Sequence, residues 1–143
     1  MADSSPDRVV TFFVPGIAET KGSMVPVTRG VLRADNDREK AWRSTVGWYA
    51  KIAMRGIAIF YTRVSVTIYV TLPVPPNRTK KHRRDADKVA RSMLDAFTGV
   101  VYVDDELVDD LHVRKRTSSD TKKQGARVIV RVHEPSDEGF EGT

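Results

Sequence analysis

An α+β fold, a small mixed β-sheet with two helices packed on one face, follows from three features of the 143-residue chain. Residues 63–72 alternate cleanly: Val64, Val66, Ile68, Val70 and Leu72 face one side, and Ser65, Thr67, Tyr69 and Thr71 the other. That is the period-two pattern of a half-buried strand. Two segments carry apolar residues at helical spacing instead: Trp42, Val46, Tyr49 and Ala53 in one, Val89, Met93 and Phe97 with Ala90 and Leu94 in the other. The last strands follow one another without a helix between them, which separates the pattern from a doubly wound α/β arrangement.

Val9–Val14 is a β-rich run ended by Pro15-Gly16. A long loop follows, holding Lys21-Gly22-Ser23 and Thr28-Arg29-Gly30. Asn36 and Glu39, three apart, have the form of a capping box and predict a helix beginning near Asn36, with Gly56 placed to end it. Pro73, Pro75 and Pro76 stop the alternating strand, because proline cannot donate to the ladder. The next loop, Arg78–Arg84, has five basic residues in seven. The second helix is expected from about Asp85 to Phe97, closed by Thr98-Gly99. Val100–Val103 reads as a short strand, Asp104–Asp110 as an acidic turn, and Leu111–Arg116 as a basic strand. A turn around Asp120–Gly125 leads to the final strand, Ala126–Glu134, and antiparallel pairing of these last two strands is expected across it. The order is β-α-β-α-β-β-β. One domain spans residues 8–134, with loose polar tails at 1–7 and 135–143 bounded by Pro6 and Pro135.

Composition removes several function classes. The absence of cysteine excludes a disulfide scaffold, a thiolate zinc site and a cysteine nucleophile. No P-loop, no G-x-G-x-x-G and no H-x-x-x-H spacing occurs, so no nucleotide cofactor or zinc site is expected. No apolar run approaches the roughly 18 residues of a membrane span, and the polar, acidic start is unlike a signal peptide. The expectation is a soluble, cytoplasmic protein without a membrane partner. All 24 Lys and Arg lie within residues 8–134 together with 14 of the 19 acids, an excess of ten positive charges on the domain. Such an excess suits a polyanion, DNA or RNA, as well as a solubilising surface.

Two acidic pairs bear on chemistry. Asp85 and Asp87 sit two apart at a helix mouth, directly after the basic loop. A hard cation such as Mg²⁺ wants carboxylate oxygens and retains waters, and flanking arginines can hold a phosphate against it. Asp is equally favoured as an N-cap and near the positive end of the helix dipole, and Asp87 could pair with Arg91 one turn on. Asp104-Asp105 follows the apolar run after the helix, and the chain there can return alongside that helix. Three carboxylates converging in a basic setting form a metal-dependent phosphodiester site; a solvated acidic turn is the structural alternative, to which Asp109 and Asp110 belong. His82 could contact phosphate, whereas His112 and His133 lie on strands as ordinary packed or surface histidines.

The run Asp85-Ala86-Asp87-Lys88-Val89-Ala90-Arg91, then Leu94-Asp95-Ala96-Phe97, then Tyr102-Val103-Asp104-Asp105, resembles the signature of the RusA family of Holliday-junction resolvases. That family carries D-x-D-N-x-x-K on a helix, a D-A-L/F continuation, and an apolar strand ending in D-D. The order of strand Val9–Val14, Lys21-Gly22-Ser23 and a helix is similar too, so the resemblance spans most of residues 9–133.

The resemblance implies a RusA-like fold and a Mg²⁺-dependent endonuclease acting as a homodimer on four-way DNA junctions in recombination and repair, in phages as well as bacteria. Asp85, Asp87 and Asp105 would hold the catalytic Mg²⁺, with Asp104 beside them. Lys88 stands where the family has asparagine, and Arg91 where it has lysine. Arginine keeps the charge and can clamp a phosphate through its planar fork, but cannot donate a proton near neutral pH. Lys21, Lys80, Lys81, Arg83, Arg84 and Lys88 are the expected DNA contacts. A non-catalytic nucleic-acid-binding protein, and a nuclease of flaps or forks, are the alternatives.

Overall fold

The computed structural model describes residues 8–20, 31–75 and 85–133; the expected tails lie outside that range. Strands β1 (Val9–Pro15), β2 (Val64–Leu72), β3 (Val108–Thr117) and β4 (Gly125–Val132) form one mixed sheet in the order β1-β4-β2-β3. Helices α1 (Val31–Ala53) and α2 (Ala86–Phe97) pack on each other, α1 also on β1 and α2 on β3. The α+β layering matches the sequence pattern. No helix among the described residues is long and apolar enough to cross a membrane.

The core lies between the sheet and the helices. Val64, Val66, Ile68, Val70 and Leu72 are wholly buried, as the alternation requires, and so are Val128 and Val130 of β4 beside them. Trp42, Val46 and Ala50 of α1 and Val89, Met93 and Phe97 of α2 close the same cluster. Phe97 meets Phe12 and Tyr102 edge-on, at centroid distances of 5.8 and 6.4 Å. Aromatic pairs in that geometry add stabilisation beyond their buried area. Gly125 opens β4 at φ +146°, and a Cβ there would run into the Val14 carbonyl and come within 2.7 Å of Phe13 Cζ. β1 and β4 can approach at that end only because position 125 has no side chain.

The structure corrects four local expectations. β3 and β4 are not neighbours: β2 lies between them, parallel to β3 and antiparallel to β4. The reason is burial. β4 is valine-rich and half-buried, whereas β3 carries Asp109, Asp110, Arg114, Lys115 and Arg116 and has no fully buried residue. A strand so charged belongs at an edge, where it also resists pairing with another chain. α2 supplies the crossover that a parallel β2–β3 pair needs. The expected strand Val100–Val103 is a turn instead, with Tyr102 making isolated bridges to Phe60 and Thr98. Val101 and Tyr102 are both wholly buried, in a reversal whose Val101 N–H bonds the Phe97 carbonyl at the end of α2 rather than a neighbouring strand.

α1 is already helical at Val31, so Asn36 lies inside it rather than at its cap. Glu39 is accordingly released from a capping box and is buried against α2. Asp109 and Asp110 lie in β3 rather than in a turn. Asp109 faces Arg63 at 3.9 Å and His133 at 3.4 Å, a structural ion pair at the sheet edge.

Candidate active site and nucleic-acid interface

Asp85 occupies the N-cap position of α2 with extended backbone (φ −74°, ψ 145°), and its carbonyl accepts from the Val89 N–H at 3.0 Å. Its carboxylate makes no capping hydrogen bond; Lys88 Nζ lies 3.9 Å from it. The helix start therefore accounts for the backbone of Asp85 but leaves its side chain available. Asp87 follows in the first turn, and Asp87, Lys88 and Arg91 are all exposed. Asp87 and Arg91 stand one turn apart, with no ion pair between them among the described residues. The opposite face of α2 is fully committed to the core through Val89, Met93 and Phe97. Packing thus fixes which side the acids and the arginine present.

The second acidic pair is returned to α2 by a tight reversal. Gly99 takes φ +84° and donates to the Tyr102 carbonyl at 2.8 Å, while Val101 N–H donates to Phe97 O at 2.8 Å. The Tyr102 hydroxyl donates to Leu94 O at 3.2 Å, fastening the returning chain to the last turn of the helix. Asp104 then caps a short 3₁₀ helix, Asp105–Leu107, by accepting from the Glu106 N–H at 3.1 Å, and that helix packs against α2. The Asp104 carboxyl, within hydrogen-bonding reach, raises the pKa of Asp105 above the usual carboxylate value. Desolvation and the charges of Asp104 and Asp95 push it the same way. Burial, helped by the charges of Asp105 and Asp95, likewise pushes the Tyr102 phenol far above its ordinary value. Asp104, Asp105 and Asp95 thus act on one another as like charges gathered at the C-terminal half of α2.

Asp95 is the member of this group that carried no assigned role in the sequence. The signal for it was its position on α2 ahead of a reversal short enough to bring Asp105 back to the same turn. Asp105 is thus paired with Asp104 and influenced by Asp95 from the C-terminal half of α2, whereas Asp85 and Asp87 sit at its mouth. Among the described residues no three His, Asp or Glu side chains are grouped so as to hold one metal ion. Lys21, Lys80, Lys81, Arg83 and Arg84 lie outside the described residues.

A buried polar contact supports the helix that carries the site. Glu39 of α1 accepts from the Ser92 hydroxyl at 2.7 Å, and Arg43 lies 3.6 Å from its other oxygen. Both Glu39 and Ser92 are buried, and Ser92 adjoins Arg91. Replacing Ser92 by Ala removes a donor to a charged acceptor that is shut away from water. The expected loss of stability is about 1.5–3 kcal/mol, read from the urea midpoint. An unchanged midpoint would show that Arg43 alone satisfies the carboxylate.

Exposed carboxylates and an arginine on one helix of a strongly basic α+β domain define a class of protein that handles phosphate polyanions. The family model described as Endodeoxyribonuclease RusA matches residues 19–133, most of the chain. The chain belongs to the RusA endodeoxyribonuclease family and is a nuclease of that kind. No curated protein matches it significantly.

Proposed function

We propose that this chain is a Mg²⁺-dependent endonuclease that resolves four-way DNA junctions as a two-fold homodimer, in recombination and repair. The observation that carries the reading is the exposed face of α2. Asp85 takes the cap position without spending its side chain on capping, Asp87 and Arg91 stand free of each other, and the returning chain sets Asp104-Asp105 against the same helix. The close Asp104–Asp105 pair suits a hard cation, which takes one or two carboxylates and keeps waters and substrate phosphates. Asp85, Asp87 and Asp105, with Asp104 in support, are the residues that would hold it. When bound, Mg²⁺ supplies an activated water and offsets charge on the phosphate.

Arg91 clamps the phosphate through its planar fork and stays protonated throughout, so the proton for the leaving oxygen comes from elsewhere. Lys21, Lys80, Lys81, Arg83, Arg84 and Lys88 hold the DNA backbone, which positions the substrate rather than specifying its sequence. A two-fold pair of chains brings one site to each of two symmetry-related strands. Trp48 and Ile52, one turn apart on α1 and 62% and 39% exposed, give such a partner apolar surface to cover.

Synthetic junction, flap, fork and plain duplex, each incubated with Mg²⁺ and with chelator, test the proposal. Paired symmetric nicks confined to the junction and dependent on Mg²⁺ are expected. Preference for flaps or forks would reassign the substrate, and binding without cleavage under any divalent cation would leave a DNA-binding protein only. Neutralising Lys80, Lys81 and Arg83 together is expected to weaken binding to junction and duplex alike. The log–log salt slope on duplex should flatten by about 0.9 for each phosphate that the variant no longer neutralises. An unchanged slope would place the DNA path elsewhere.

A further inference from the structure

The sheet face turned away from α1 and α2 carries a row of alternating aromatic and basic side chains. Phe13 of β1 stands opposite Arg127 of β4, Arg127 opposite Tyr69 of β2, and Tyr69 opposite Arg114 of β3. The Arg127 guanidinium lies 6.0 Å from the Phe13 ring centroid, and Tyr69 meets His112 edge-on at 6.4 Å. Arg116 occupies the next row of the same face, and the turn after β3 brings up Lys122 and Lys123. Phe13, Tyr69, Arg116, Lys122, Lys123 and Arg127 line an open groove of about 720 Å³ in which, among the described residues, no carboxylate takes part. The nearest acid along the chain, Asp120, has its carboxylate folded into its own turn, where it accepts from the Lys122 N–H at 3.0 Å.

Edge protection accounts for the charges of β3 but not for this arrangement. Arg127 and Tyr69 belong to the two central strands, where no exposed edge needs guarding. Four cations gathered without a counter-charge in the groove, walled by two half-buried rings, are complementary to a ligand that is both polyanionic and flat-faced. We propose that this groove binds single-stranded nucleic acid. Arg116, Lys122, Lys123 and Arg127 take the phosphates, and Tyr69 and Phe13 receive the faces of unpaired bases. A duplex hides its base faces, so only an unpaired strand uses both halves of the groove.

The proposal rests on the reading of the chain as a DNA enzyme and adds a contact surface on the sheet face opposite the helices that carry the acids. β3 begins just after the Asp105–Leu107 turn and ends at the groove. Nine residue steps at roughly 3.3 Å separate the Asp105 end of β3 from the groove by about 30 Å, and the acids lie on the helix side of the sheet. The strand held in the groove thus runs over the sheet face opposite the acids.

The test is fluorescence anisotropy of the full chain with a labelled oligothymidylate of about 20 nucleotides, in chelator so that nothing is hydrolysed. Tyr69→Leu is expected to weaken binding roughly five- to 150-fold, and to have no such effect on an abasic oligonucleotide of equal length. The double variant Lys122→Ala/Lys123→Ala, on an exposed turn that tolerates change, is expected to lower the log–log salt slope by about 1.4. An unchanged slope in that variant overturns the proposal whatever Tyr69→Leu does. So does equal loss on the abasic strand, or a change of oligomeric state in Tyr69→Leu by sedimentation, which would make this face a subunit interface. Intact oligothymidylate binding without junction cleavage by the unmodified chain counts against the proposed reaction alone. Intact cleavage without oligothymidylate binding counts against the groove alone.

Discussion

The Asp87→Asn protein is expected to bind a four-way junction at least as tightly as the unmodified chain and to cleave it on the order of a thousandfold more slowly. Asp87 is exposed in the first turn of α2, so the isosteric change removes a charge and a hard ligand while disturbing no packing. Its loss from the positive end of the helix dipole costs only about 0.3–1 kcal/mol, too little to unfold the domain. Binding measured in chelator and single-turnover cleavage in Mg²⁺ separate the two effects. A cleavage rate within a few-fold of the unmodified chain would reduce Asp87 to a dipole-complementing residue. In a mixed dimer, one altered subunit should leave a single nick and no resolution; two coordinated cuts would exclude one site per subunit.

Arg91→Ala should likewise separate cleavage from binding. One charge among the 24 Lys and Arg matters little to docking. An interaction made chiefly in the transition state is worth roughly 2.7–4 kcal/mol, or about 10²–10³ in rate. Arg91 projects from the exposed side of α2, directly before the buried Ser92 that ties the helix to α1, so its backbone is held even when its side chain is removed. Arg91→Lys keeps the charge and is expected to retain most activity. Equal losses of affinity and rate in the alanine protein would make Arg91 a docking residue.

What the sequence disclosed followed from short-range periodicity. The alternation of β2 named its buried side residue by residue, and the four-residue spacing of Val89, Met93 and Phe97 named the inner face of α2, hence the outer face on which Asp87 and Arg91 stand. The acidic pair at Asp104-Asp105 was legible as a pair because Gly99 supplies the reversal that returns it to the helix. Properties that depend on partners distant in the chain were not legible. Loop proximity suggested that β3 and β4 pair, but competition for burial decided otherwise and placed β2 between them. Glu39 fitted a local capping rule and proved to be a buried partner of Ser92, 53 residues away, a contact that no local pattern encodes. Asp95 was visible within a motif, yet its closeness to Asp105 arises only once the reversal is folded.

The charged edge strand has a bearing on local opening. Among the described residues β3 pairs with β2 alone and, unlike the other edge strand β1 with its buried Val10 and Val14, has no wholly buried residue. Little apolar surface is exposed when it detaches, so its amides should exchange with solvent well before those of β2 and β4, without global unfolding. Asp105 lies just before one end of β3 and Arg116 near the other. The least protected strand therefore joins the acidic turn to the basic groove, and a ligand engaging either end has the most freedom to remove there. Slowed amide exchange along residues 108–117 is the signature by which occupancy of either surface would be recognised, even in a protein whose cleavage has been abolished.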